Sequence, residues 1–277
     1  MTLAHYLDVV RRARPGHDLG DATLHRGQSH DVLLTADRVF RFPRTASAAA
    51  ALPRRAALAA AVAALDLGVR VPVPSADVDL AAPVGERFLE LDRVPGAPLD
   101  RVGAARVDGV AAGFARLLRV MADRRPADVP TADPHRWAEF ADGVHSGLFP
   151  LMAAAGRERA ERELAAVLAL DHVATGLVHG DLGGENVLWD EADPPRLVGV
   201  VDWDGAVVGD PAEDLAAVGA SYGPALLDRV IGLLGLDRAV VGPRIRAYQG
   251  TFALQQALAG ALDGDDAERD DGLAGYR

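Results

Sequence analysis

Seven apolar residues, Val107, Val110, Ala111, Phe114, Leu117, Leu118 and Met121, recur at i, i+3, i+4 and i+7. That spacing predicts an amphipathic helix of four turns with one buried face. Ahead of it the rhythm differs. In HDVLLTA apolar and polar positions partly alternate, and RVFRFPR follows after the tight turn Ala36-Asp37, so the two predict a β-hairpin. A first helix, LAHYLDVVRRAR, stops at Pro15-Gly16, and an Ala-rich helix from about Ser47 to Leu67 stops at Gly68. VRVPVPSADVDL carries too much proline for a central strand and reads as an edge strand or connector. ERFLELDRV reads as the last strand before PGAPLD, a turn-rich hinge. These elements divide the chain into a small mixed part, residues 1–93, and a mainly helical part, residues 94–277. In the second part GRERAERELAAVLAL predicts another helix, and helices run from Pro211 to the end with breaks near Gly223-Pro224 and Gly242-Pro243.

One region violates the apolar pattern. VHGDLGGENVLWD, Val178 to Asp190, sets His179, Asp181 and Asn186 between two strand-like runs, and VVDWDGAVVGDPAEDLA follows shortly after. NVLWD and RLVGVVDWD, joined across Asp193-Pro194-Pro195, predict an antiparallel pair. Such a hairpin places Asn186 before one strand and Asp202 at the end of its partner, within side-chain reach, with Asp181 nearby. The D-x-x-x-x-N spacing of Asp181 and Asn186, with a histidine two residues ahead, matches the catalytic loop of the kinase fold. There an Asp accepts the proton of the substrate hydroxyl, and an Asn and a downstream Asp hold Mg²⁺, a hard ion that takes oxygen ligands.

Composition narrows the reading further. At 277 residues and 49% hydrophobic the chain can bury a large core, and no apolar run approaches the ~18 residues of a membrane span. The amino-terminal stretch lacks an apolar core followed by a cleavage site, which predicts a cytoplasmic protein. Cysteine is absent, so disulfides, thiolate catalysis and thiolate metal sites are excluded. A net charge of -11 argues against nucleic acid and suits a cationic small ligand. All 29 basic residues are arginine, so any role that calls for lysine falls to arginine or goes unfilled.

HGDLGGEN, VVDWD and GDPAEDLA resemble the catalytic loop, metal loop and following helix start of the aminoglycoside phosphotransferases, small-molecule kinases related to protein kinases. PGAPL, LFPLM, GRERAERELAA, GASYG, GTFALQQAL and the final GYR are similar to the branch that phosphorylates the tuberactinomycin peptides viomycin and capreomycin. The resemblance runs from the hinge to the last residue and is looser before it. It implies an α+β, bilobal protein-kinase-like fold with a small β-rich amino-terminal lobe and a larger helical lobe. It also implies ATP or GTP with Mg²⁺, and a cationic peptide antibiotic as substrate, with no nucleic-acid or membrane partner.

Carried over by position, the resemblance makes Asp181 the catalytic base and Asn186 and Asp202 the metal ligands. Gly27 and Ser29 of HRGQSHDV, Arg41, and Glu90, Asp92 and Val94 before the hinge fall to the nucleotide. Asp204, Glu185 and Asp263 are assigned to the substrate side, and His179 and Asp214 to support of the loop. Arg41 stands where the family commonly has a phosphate-binding lysine, and Arg55 where that lysine's glutamate partner would fall. Three readings of the phosphate clamp therefore stay open: Arg41 alone, Arg41 with Arg44, or neither.

Simpler roles compete for several positions. An acid such as Asp214 in a first helical turn is favoured by the helix dipole alone. DGDDAERDDGL has Glu268 where a calcium loop needs glycine, so it reads as a solvated acidic segment. Trp189, Trp203, Tyr222 and Phe252 read as packing residues. An aminoglycoside or other basic metabolite as substrate, and a catalytically silent nucleotide-binding module, are the rival functions.

Overall fold

A computed structural model describes residues 1–27, 30–99, 102–103, 106–190 and 195–277. The amino-terminal part is a four-stranded antiparallel sheet in sequential order, β1 (Thr23–Arg26), β2 (His30–Leu34), β3 (Arg38–Pro43) and β4 (Leu89–Asp92). Val32 pairs with Arg41, and Phe40 with Glu90. Because side chains alternate across a strand, β3 sends Phe40 and Phe42 to one face and Val39 and Arg41 to the other. The first face packs on Tyr6, Val9 and Val10 of helix α1 (Leu3–Ala13). Helix α2 (Ala46–Ala63), capped by Thr45 accepting from the Ala48 N–H, lays Leu52 on the second, against Leu89 and Leu91. The hairpin and the strand before the hinge follow the sequence reading. The edge strand β1 was not predicted: its four residues are mostly exposed and carry no alternation.

Helix α3 (Val107–Ala122) buries six of its seven predicted apolar positions, with Val107 half-buried. Burying side chains of this size stabilises the fold by roughly 1.5–3 kcal/mol each for the larger ones. The rest of the helical part comprises α4 (Arg136–Gly143), α5 (Ala154–Leu168), α6 (Ala212–Tyr222), α7 (Pro224–Leu234), α8 (Arg238–Asp263) and α9 (Asp266–Gly272). The predicted break at Gly242-Pro243 is absent. Asp237 caps α8 by accepting from the Ala239 N–H, and the helix runs on through Pro243. Pro243, the sixth residue of the helix, lacks the N–H that would meet the Ala239 carbonyl, a loss that the 26-residue helix absorbs. Among the described residues no helix is long and apolar enough to cross a membrane.

Two short antiparallel pairs sit on the cleft side of this helical part. β5 (Gly176–Val178) pairs with β8 (Val207–Gly209), and β6 (Val187–Trp189) with β7 (Leu197–Val200). The hinge is fastened to β6: Ala97 and Trp189 exchange backbone N–H···O bonds of 3.0 and 2.9 Å. Gly96 permits that approach. Its φ is 110°, and a Cβ there would stand 2.7 Å from Val198 Cγ2 and 2.9 Å from the Trp189 carbonyl.

Candidate active site

The predicted hairpin forms with Val187 opposite Val200, although Asp193 and Pro194 of its turn lie outside the described residues. Its pairing carries one step further, where the Val201 N–H donates to the Asn186 carbonyl at 2.9 Å. Asn186 and Asp202 are therefore brought side by side by strand geometry, as their sequence positions suggested. Asn186 Nδ2 donates to both the backbone carbonyl and Oδ2 of Asp181, each at 2.9 Å. That leaves Asn186 Oδ1 as the free acceptor of the amide. Asp202 is the one non-glycine residue with positive φ among the described residues (φ 63°, ψ 59°), a left-handed conformation that costs roughly 1–3 kcal/mol. It turns the chain sharply out of β7 into Trp203.

The loop ahead of Asn186 is held from below. His179 is fully buried; its Nε2 donates to the Val201 carbonyl at 2.9 Å, while Nδ1 accepts from the Asp181 N–H at 3.2 Å. Both bonds require the neutral ring with its proton on Nε2, and burial pushes the imidazole pKa below its ordinary value. Trp203 packs on this ring at a centroid distance of 4.6 Å and donates Nε1 to the Val200 carbonyl. Asp214, also buried, accepts from the backbone N–H groups of His179 (2.9 Å) and Gly180 (3.1 Å). Its placement at the start of α6 is not merely a dipole effect, because the carboxylate ties that helix to the loop that carries Asp181. Burial raises its pKa to about 7, against the two N–H bonds that favour the ionised form.

A cavity of 570 Å³ opens between the sheet and this hairpin. Gly27, His30, Arg41, Arg55, Asp92, Val94, Asn186, Asp202 and Asp204 all border it, and its apolar wall includes Val32, Leu91, Leu188 and Val201. Glu90 does not reach it. Its Cα partner is Phe40, so the strand pleat carries it to the opposite face, where Arg14 (2.5 Å) and Arg38 (3.5 Å) hold it. The Asp92 carboxylate is likewise paired with Arg38, at 2.6 Å. Ser29 lies outside the described residues. Gly27 donates its N–H to the His30 carbonyl and receives Arg44 Nη1 on its own.

Asp204, assigned to the substrate side by sequence, is engaged by arginines across the cleft. Arg41 Nη1 reaches Asp202 Oδ1 and Asp204 Oδ1 at 3.1 Å each, and Nη2 reaches Asp204 Oδ2 at 2.8 Å. Arg55 Nε stands 3.2 Å from the same Oδ2, and Arg55 Nη1 contacts the buried His30 ring. Burial and the two guanidiniums push His30 down to about 3. Glu185 is exposed on the loop, and Asp263 ends α8 away from the cavity lining. His30 and the Arg55–Asp204 pair escaped sequence reasoning because their partners are distant in the chain.

The donor set suits a hard cation. Asn186 Oδ1 and Asp202 Oδ2 are oxygen atoms that take no hydrogen bond from any described residue, and both side chains face one cavity. No group of three or more His, Asp or Glu capable of holding a metal by itself occurs among the described residues. Such a pair fits an ion that shares its coordination with phosphate oxygens.

Comparison with known proteins decides the family. Residues 21–248 match the Phosphotransferase enzyme family. The chain belongs to this family. Along 98% of its length it is also 49% identical to the viomycin phosphotransferase of Streptomyces vinaceus, covering 97% of that protein. Among solved structures it resembles the GDP complex of aminoglycoside 2'-phosphotransferase-IIIa, with a TM-score of 0.81 at 19% identity, over 99% of this chain and 97% of that one. It also resembles the streptomycin–ATP–APH(2")-IIa ternary complex, with a TM-score of 0.73 at 14% identity, over 99% and 96% of the two chains. These structural likenesses establish the kinase-like α+β fold, and membership of the phosphotransferase enzyme family makes the protein a phosphotransferase.

Proposed function

We propose that the protein transfers the γ-phosphoryl group of ATP or GTP to a hydroxyl of a cationic cyclic peptide antibiotic of the viomycin and capreomycin type, inactivating it in the cytoplasm. The observation that carries this reading is the 49% identity to a viomycin phosphotransferase across nearly the whole of both chains. The net charge of -11 agrees with a cationic substrate. The nucleotide lies in the cavity between the sheet and the hairpin, its base against the apolar wall near Val94 and its phosphates toward Asp202.

Asp181 is the base. Its Oδ2 is held by Asn186, and its Oδ1 takes no hydrogen bond from any described residue. The substrate hydroxyl donates to that oxygen, is aligned by it, and gives up its proton as the new O–P bond forms. The bond from phosphorus to the nucleoside diphosphate oxygen breaks in the same displacement. His179 and Asp214 fix the loop so that Asp181 needs no rearrangement before the reaction. Asn186 Oδ1 and Asp202 would hold Mg²⁺, which neutralises phosphate charge when bound.

A panel assay tests the reading. The protein is incubated with Mg²⁺, ATP or GTP, and in turn viomycin, capreomycin and several aminoglycosides, and each product is weighed by mass spectrometry. A phosphate-sized gain on the two peptides is expected. A gain confined to aminoglycosides would replace the substrate class, and no gain on any compound would overturn the proposal.

A further inference from the structure

Arg41 occupies the position from which a cation would be expected to grip the nucleotide phosphates, yet its terminal nitrogens are already taken. Nη1 is divided between Asp202 and Asp204, and Nη2 is bound to Asp204. The side chain is only 14% exposed. A planar guanidinium with both tips on carboxylates is a strut between the two lobes, fixed in position with three of its five N–H donors engaged.

Arg55 is placed differently. It rises from α2 beside Arg41 and borders the same cavity. Its Nε faces Asp204 Oδ2 at 3.2 Å in an ion pair, but the atom is buried without a hydrogen-bond partner. Its Nη1 rests on the neutral His30 ring, and no described residue accepts from Nη2. The charges point the same way. Arg41 and Arg55 balance Asp202 and Asp204, with His30 uncharged; once Asp202 is committed to a divalent cation, one positive charge is in surplus. Arg41 still has Asp204 on two bonds, so the surplus falls on Arg55.

We infer that Arg55, rather than Arg41, is the cationic side chain that contacts the nucleotide phosphates, and that Asp204 and His30 position its guanidinium for that contact. The inference rests on the nucleotide reading of this cavity given above. It replaces a lysine–glutamate arrangement, in which the helix supplies an acid, by one in which the helix supplies the working cation and the opposite lobe supplies the acid.

The test compares binding of adenosine, ADP and ATP, each with Mg²⁺, to the wild-type protein and to Arg55→Ala and Arg55→Lys, by calorimetry. Loss of one charge-assisted phosphate contact should weaken ATP by roughly 10- to 100-fold in Arg55→Ala and leave adenosine nearly unchanged. Arg55→Lys should recover part of the loss. The readout is the ratio of ATP to adenosine affinity, which a general loosening of the fold would not move. A ratio in Arg55→Ala equal to wild type, whether both affinities hold or both fall together, overturns the inference while leaving the cavity reading intact. Failure of the wild-type protein to bind any of the three overturns both.

Discussion

The two walls of the cavity are braced by different kinds of bond. On the helical side the loop from His179 to Asn186 is held mainly through its backbone: Asp214 takes the N–H groups of His179 and Gly180, His179 takes that of Asp181, and Val201 donates to the Asn186 carbonyl. All these partners belong to one lobe. On the sheet side Arg41, Arg55 and His30 meet Asp202 and Asp204 through side chains alone, and the ion pairs cross the cleft. Backbone-directed bonds within one part of the chain fix the loop's shape without help from the sheet. A cluster of side chains spanning the cleft holds its geometry only while the lobes are together. The base proposed above thus sits on the wall braced through backbone, and the proposed phosphate contact on the wall braced through side chains.

The sharpest break in that comparison is Asp181→Ala. General-base catalysis contributes about 10²- to 10⁴-fold, so kcat for viomycin should fall by that range while ATP affinity changes far less, because Asp181 touches neither Arg41 nor Arg55 and its backbone carbonyl still anchors Asn186. Steady-state kinetics with parallel nucleotide titration checks it, and turnover near wild type would remove Asp181 from the base role. Next in size is Asp214→Ala. It would strand two backbone N–H groups in a buried setting, each costing about 1–3 kcal/mol, for a total of about 2–4 kcal/mol after partial relaxation. Urea unfolding should report that loss. A cost below about 1 kcal/mol would mean the loop does not depend on this brace.

How far each wall could be read in advance follows from the same contrast. Asp181, Asn186 and Asp202 were legible because a β-hairpin is a local device: spacing plus pairing register fixes where its ends fall. The apolar face of α3 was legible for the same reason, since helical periodicity is local. Arg41 was singled out only by the resemblance, and its partners lie 161 and 163 positions away. Nothing in RVFRFPR or LPRRAAL announces that both arginines meet one aspartate. The ion pairs of Asp204 were not legible, because its neighbourhood in sequence is the metal loop, whereas its contacts come from distant segments. Strand parity, which the sequence reading left out, turns the Glu90 side chain away from the cavity that Leu91 lines. Lysine's absence was the one compositional signal that the phosphate grip would be unconventional.

The smallest expected effect probes the side-chain-braced wall without removing a cation. His30 is buried among Arg41 and Arg55, and its folded pKa is about 3 against an ordinary value of 6.5. Above pH 6.5 the ring is neutral in both folded and unfolded chains, and titration contributes nothing. Below it the unfolded chain takes up a proton that the folded chain refuses, so stability is lost as pH falls from 6.5 toward 3, by up to about 1.4 kcal/mol per pH unit. Asp214, with its folded pKa raised to about 7, works in the opposite direction over the same range, and His179 in the same direction as His30. The wild-type curve alone therefore does not isolate His30. The difference between wild type and His30→Gln does, because the other groups cancel while glutamine cannot titrate. Relative to the variant, the wild type should lose about 2 kcal/mol between pH 7 and pH 5 in urea unfolding. A gap that stays constant across that range would mean that His30 protonates as freely in the fold as out of it, and that a positive charge is tolerated between the two arginines. In that event the surplus of charge assigned to Arg55 could not be built on a neutral His30.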